Sequence, residues 1–202
     1  MGIVQEPAGH PLFHNPEKKV PKASGFCERV ADLHRKSESP NGKLGFHVVT
    51  YNGNLSQENG YTATWEECFR NGFVHMLNLN IERGGPWEEM ESLQGTMLDK
   101  VIPRLIRPME TNGRSIKPCL VHGDLWCGNA AIDQQTKQPI IYDPASFYAH
   151  NECRREWHGD LGTGSPERNK FSGEDYFEEY LHHYPPSEPK DDIGDRIALY
   201  SM

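Results

Sequence analysis

Leu120-Val121-His122-Gly123-Asp124-Leu125-Trp126-Cys127-Gly128-Asn129, followed by Ile140-Ile141-Tyr142-Asp143-Pro144, is the stretch that decides how this chain reads. A short apolar run ends in His-Gly-Asp. An asparagine follows the first acid by five positions, and a second apolar run ends in another acid. Alternating and apolar patterning predicts short strands at Cys119 to His122, Ala130 to Ile132 and Pro139 to Asp143, with a turn from Asp133 to Gln138. The polar residues then fall on loops at strand ends, where a rigid scaffold can aim them. An apolar strand that closes on a lone Asp needs a reason to place a charge there.

These are the parts that phosphoryl transfer uses. One Asp positions the attacking hydroxyl and accepts its proton, while an Asn and a second Asp hold magnesium on the phosphates. The Asp-x4-Asn spacing matches the catalytic loop of protein kinases, but the flanks differ. His-Gly-Asp stands for His-Arg-Asp, and Asp-Pro for Asp-Phe-Gly. Asp124 is therefore the candidate catalytic base. Asn129 and Asp143 are the candidate magnesium ligands, Asp143 the principal one because hard magnesium prefers carboxylate oxygen. His122 reads as a brace for the loop backbone. Trp126 has two readings of equal weight, a platform for an apolar sugar face or part of the core. Cys127 has no chemical role in this scheme, although an exposed thiol there would be open to oxidation.

Outward from this stretch the first half reads as helical. Ser24 can cap a helix through about Arg35, with Phe26, Val30 and Leu33 as its apolar stripe. Ser39-Pro40-Asn41-Gly42-Lys43 stops it, and the Gly- and Asn-rich residues 44–62 read as a long loop. Thr64-Trp65-Glu66-Glu67 fits a capping box for a second helix, with Trp65, Phe69, Phe73, Met76 and Leu77 on its core face. A third helix should start near Pro86 and carry Met90, Leu93, Met97, Val101 and Leu105, with Pro103 ending or kinking it. Residues 108–118 read as a turn. Ser172 can cap a last helix through about His183, with Tyr176, Phe177, Tyr180 and Leu181 inward and Pro185-Pro186 after it. Residues 1–23 read as an extended arm or linker. Pro11 and Pro16 disfavour the helix that would align His10 and His14 as metal ligands.

Composition narrows the class. A formal charge of -8 argues against a nucleic-acid partner, which needs a basic face. No apolar run is long enough to span a membrane, and Met1 to His14 lacks the pattern of a signal peptide. Five cysteines, none in a Cys-x-x-Cys pair, point to reduced thiols and a cytoplasmic location.

The segments Ala31 to Phe46, His122 to Asn129 and Asp143 to Glu152 resemble the fructosamine and ketosamine kinases, including the protein-ribulosamine 3-kinases, within the aminoglycoside-phosphotransferase-like group. The tail from Pro166 to Tyr200 is similar to fungal members, and the resemblance covers about residues 24–202. It implies an α+β fold: a protein-kinase-like C-terminal lobe, mostly helical, with a short strand-loop-strand catalytic segment. No Gly-rich phosphate loop or Val-Ala-x-Lys-like lysine precedes it, so the N-terminal lobe is expected to be absent and residues 24–202 to form a lobe truncated at its end. The implied reaction is ATP-dependent phosphorylation of the 3-hydroxyl of a protein-bound ketosamine, a ribulosamine or fructosamine, in protein deglycation. ATP and magnesium are the implied cofactors, and a glycated protein or small ketosamine the partner. Two other readings stand beside it: a small-molecule kinase of the aminoglycoside or choline type, and a catalytically silent lobe that binds partners. The chain departs from the family at two places. Ala149 stands for a Gly, and Arg154 stands where an acid is usual, leaving Arg154 to pair with Glu152 or with a phosphate.

Overall fold

The computed structural model describes residues 16–85, 88–153, 171 and 174–201. His10, His14, Arg154, residues 156–170 and the Ser172 cap lie outside them.

The first predicted helix is α1 (Ala23–Lys36). Lys22, not Ser24, occupies its N-cap, and no side chain caps it. Phe26, Cys27, Val30, Ala31 and His34 are buried, so the inner stripe runs to His34 rather than to the half-buried Leu33. The second helix, α2 (Trp65–Gly84), starts as its capping sequence predicts: the Thr64 hydroxyl accepts the Glu67 N–H at 3.2 Å. The carboxylate of Glu110 takes two more of the orphan amides, from Trp65 and Glu66. Trp65 is buried, and Phe69 and Phe73 pack on the same core.

The third helix keeps the expected core positions Met97, Val101 and Leu105 but turns Leu93 away from the core. It runs as α3 (Glu88–Thr96), a π turn at Met97–Val101, α4 (Ile102–Ile106) and a 3-10 turn at Arg107–Glu110. The Ile102 N–H reaches back to the Met97 carbonyl. Pro103 has no N–H to give the ladder, and the π turn just before it absorbs that loss without ending the helix. The extra residue rotates the apolar stripe. Leu98, Ile102, Leu105, Ile106 and Met109 are buried, while Leu93 is 61% exposed.

The expected strands are present as β4 (Cys119–Val121), β5 (Ala130–Asp133) and β6 (Pro139–Ile141). β5 and β6 form an antiparallel hairpin, extended by β1 (Pro16–Glu17) on the other edge of β5. Between them the Asp133 carboxylate accepts the amides of Gln135 and Thr136 and so fixes the turn. β4 pairs with β7 (Phe147–Ala149), an unforeseen strand directly after the second acid-bearing turn. Residues 44–62 are more ordered than a loop. They hold a small hairpin, β2 (Tyr51–Asn52) and β3 (Leu55–Ser56), and Gly45 pairs with Tyr148 along the free edge of β7. The last predicted helix is α5 (Glu174–His183), and α6 (Ile193–Tyr200) follows it.

Two apolar clusters form the interior. One joins α2, α4 and α6 to β4 and β7; the other joins α1 and α5 through Phe26, Val30, Phe171 and Tyr180. Val121 belongs to the first and Leu125 to the second, so the intervening His-Gly-Asp is anchored at both ends in different cores.

Beneath β7 lies a buried polar network. His150 meets the Tyr200 hydroxyl at 3.0 Å and the Ser187 hydroxyl at 2.9 Å, and the Trp65 indole N–H donates to the same Tyr200 oxygen. Burial holds the His150 imidazole down to about 4, and Arg196 pulls the same way, against Glu152. An unfolded His titrates near 6.5, so below that pH the unfolded chain binds a proton that the folded chain refuses. Stability from this group is whole above pH 6.5 and is lost as pH falls toward 4, a total of roughly 3 kcal/mol. Urea midpoints for the chain and for His150→Gln should therefore converge between pH 7 and pH 4.5; parallel profiles would show that His150 is not held neutral.

Candidate active site

The site grows from the ends of β4 and β6. After Val121 the chain turns through Gly123 at φ 81°, a left-handed conformation that glycine adopts freely. A Cβ there would also collide with the Ala145 carbonyl, so the turn brings the Asp124 loop against the segment that follows Asp143. Asp143 itself sits at φ 56°. For a residue with a Cβ this costs about 1–2 kcal/mol, and such strain persists only where its surroundings impose it.

Asn129 ties the two turns together. Its Nδ2 donates to the Asp124 carboxylate oxygen Oδ2 at 2.9 Å and to the Asp124 carbonyl at 2.9 Å, and it lies 3.4 Å from the Asp143 carbonyl. The three residues singled out from the sequence thus meet at one place. Asn129 is buried, Asp124 half-buried and Asp143 exposed, which grades the site from wall to solvent. With Nδ2 spent on Asp124, the amide presents Oδ1 on its other side.

His122 contacts both turns. Its Nε2 faces the Tyr142 carbonyl at 2.9 Å, and its Nδ1 lies 3.4 Å from the Asp124 amide nitrogen. Donation from Nε2 and acceptance at Nδ1 satisfy both contacts with one neutral tautomer. Trp126 is half-buried, and its six-membered ring lies so close over Gly128 that a side chain there would collide. The Tyr142 hydroxyl donates to the Gly128 carbonyl at 2.7 Å, and the Tyr142 amide to the Asn129 carbonyl at 3.0 Å. Tyr142 and Gly128 were not singled out from the sequence. Their signal is positional: both border a candidate ligand.

The oxygens here fit magnesium. Asp143 offers a carboxylate and Asn129 an amide oxygen, and this cation takes one or two protein oxygens together with phosphate oxygens. Among the described residues no three of His, Cys, Asp and Glu gather as a protein cage for a metal. A cation carried by phosphates suits the donor set better than a caged one.

Glu152 pairs with Arg196. Both side chains are fully buried, with Nε to Oε2 at 2.8 Å, and the Ser187 amide donates to Oε1 at 2.6 Å. Arg196 was missed in the sequence. Its signal was an arginine set among Ile193, Ile197, Leu199 and Tyr200.

Comparison with known proteins gives this geometry its context. The chain is 37% identical over 135 residues to "Protein-ribulosamine 3-kinase, chloroplastic" of Oryza sativa, covering 64% of this chain and 36% of that protein. It is 40% identical over 111 residues to "Ketosamine-3-kinase" of Mus musculus, covering 54% of this chain and 33% of that protein. The chain thus spans about a third of the length of these curated relatives. Two solved structures share the fold, both of candidate fructosamine-3-kinases. The one from Haemophilus somnus has a TM-score of 0.63 at 21% identity, over 93% of this chain and 56% of that one. The one from Thermobifida fusca has a TM-score of 0.65 at 22% identity, over 94% and 58%. The family profile described as fructosamine kinase matches residues 13–202, and the chain belongs to that family.

Proposed function

We propose that this chain is the C-terminal, acceptor-side lobe of an ATP-dependent ketosamine 3-kinase, acting on the 3-hydroxyl of a ribulosamine or fructosamine on a protein or small amine. The observation that carries the reading is the Asn129 amide, which joins the Asp124 carboxylate to the Asp143 turn. Asp124 orients the acceptor hydroxyl and takes its proton. Asn129 keeps that carboxylate aimed and turns its own Oδ1 to the metal side, where Asp143 supplies the charged ligand. Magnesium, when bound, neutralises phosphate charge. His122 fixes the spacing of the two turns. Trp126, stiffened by its packing on Gly128, offers a flat face to the sugar or its amine substituent. The phosphate ester formed at the 3-position weakens the adduct, which makes deglycation the purpose of the reaction.

Phosphoryl transfer also needs groups that cover and grip the nucleotide phosphates. The 202 residues contain no Gly-rich phosphate loop and no Val-Ala-x-Lys-like lysine. The chain alone is therefore expected to transfer phosphate at least about 100-fold more slowly than a chimaera that joins it to the N-terminal segment of a ketosamine kinase relative. The measurement is phosphate transfer from ATP to a synthetic ribulosamine, with choline and an aminoglycoside as competing acceptors. Equal rates for chain and chimaera would remove the two-part reading. Transfer to choline or the aminoglycoside in preference to ribulosamine would overturn the substrate class.

A further inference from the structure

The Ala145 carbonyl is where the two acid-bearing turns touch. Gly123, next to Asp124, lies against it so closely that no Cβ fits between, and Asp143 is two residues upstream of it on the strained turn. This oxygen receives its hydrogen bonds from a third segment, the hairpin region 44–62. The Gln57 side-chain amide donates to it at 2.9 Å, and the Thr50 hydroxyl lies at 3.5 Å. Gln57 is itself held. Its amide also reaches the Thr50 hydroxyl at 3.0 Å, the Asn59 amide donates to that same hydroxyl at 2.7 Å, and the Gln57 backbone N–H bonds the Thr50 carbonyl. Gln57 and Asn59 are both buried, and Gly45 pairs with Tyr148, which secures the whole segment to β7.

We propose that Gln57 is a positioning residue for the metal-binding turn: its hydrogen bond to the Ala145 carbonyl holds Asp143 in place relative to Asp124. The inference rests on the functional reading above and extends it to a segment with no residue in the site. A buried carbonyl left with only the long 3.5 Å contact from Thr50 shifts to restore a full bond, and the nearest freedom lies in the turn that carries Asp143. Groups that orient a metal ligand from behind commonly change metal affinity by about 10–100-fold when lost.

The probe is manganese, which takes the same hard oxygen ligands as magnesium and is read by electron paramagnetic resonance. It is titrated into the 202-residue chain in the presence of ATP. Gln57→Leu keeps the volume of the side chain and removes the donor, and should weaken manganese binding by about 10-fold. Its melting temperature should stay within a few degrees of the unmodified chain, and ATP binding without metal should not change. Gln57→Glu is the second arm. It should weaken binding at pH 8, where the carboxylate repels the Ala145 oxygen, and recover as pH falls and the neutral acid donates in place of the amide. Unchanged manganese affinity in both variants, or a loss that merely follows a lowered melting temperature without recovery in Gln57→Glu, would overturn the proposal. Asp143→Asn separates the two levels of argument. If it binds manganese as well as the unmodified chain, the metal site itself is misplaced, whatever Gln57 does.

Discussion

In the two-part enzyme Asp124→Ala should lower turnover on a ribulosamine by about 10²–10⁴-fold, the usual contribution of a positioned general base. ATP affinity should stay within about threefold, because the carboxylate acts on the acceptor hydroxyl and not on the nucleotide. The local structure supports that separation. Asp124 is held through its carboxylate and its carbonyl by one asparagine side chain. Alanine removes the first contact and leaves the second, so Asn129 keeps an anchor. Asp124→Asn is the sharper test. It preserves shape and a hydrogen-bonding group but accepts no proton at neutral pH. Losses of similar size in both variants identify the base. Full activity in Asp124→Asn would reduce the residue to a spacer, and full activity in Asp124→Ala would remove it from the reaction.

The centre of this site was legible because its determinants are local. Strand, turn and strand follow one another within about 25 residues of sequence, and alternating apolar residues with Gly, Asn and Asp at the turns specify them. Asp124, Asn129 and Asp143 meet because β5 and β6 form a hairpin that returns the chain to its starting point. The parts that were not legible depend on distant partners. Residues 44–62 look like a loop because Gly and Asn dominate them, yet Gly45 is paired along β7 and Gln57 is buried beneath Ala145, 88 positions away. The phase of the third helix was missed at Leu93 for a different reason. Counting at 3.6 residues per turn assumes an unbroken ladder, and the π turn before Pro103 inserts a residue that moves Leu93 out to solvent. The brief α6 escaped because eight residues after a proline-rich run carry too few turns to establish a period.

That short helix carries the second large effect. Arg196→Met should destabilise the chain by about 3–5 kcal/mol, the usual cost of breaking a buried ion pair by removing one partner. Three consequences act together. Glu152 is left fully buried with the Ser187 amide and, among the described residues, no countercharge. The carbonyls of Ser187 and Pro189 lose the guanidinium that Arg196 gives them at 2.9 and 2.6 Å, and Pro189 keeps only the Asp192 amide at 3.3 Å. One of the links from α6 to the end of β7 is cut, and β7 is the strand that pairs with β4 and so supports the entry to Asp124. For a domain of this size the loss corresponds to a fall in melting temperature of about 10 °C. Joint replacement, Glu152→Leu with Arg196→Met, removes the stranded charge and should recover part of the loss, so that the double variant is more stable than the sum of the single changes implies. Thermal and urea unfolding of the four chains in this cycle measure the coupling directly. A melting temperature for Arg196→Met within a degree or two of the unmodified chain would mean that Glu152 finds another partner or that water reaches it. Additive losses in the double variant would mean that the two side chains act independently. Because His150 and Tyr200 share this network, the single variant should also alter the acid limb of the stability profile, where the proton refused by His150 is felt. Arg196 disfavours the imidazolium while Glu152 favours it, so removing the arginine raises the His150 pKa: the acid loss still begins near the unfolded value but is smaller and ends at a higher pH.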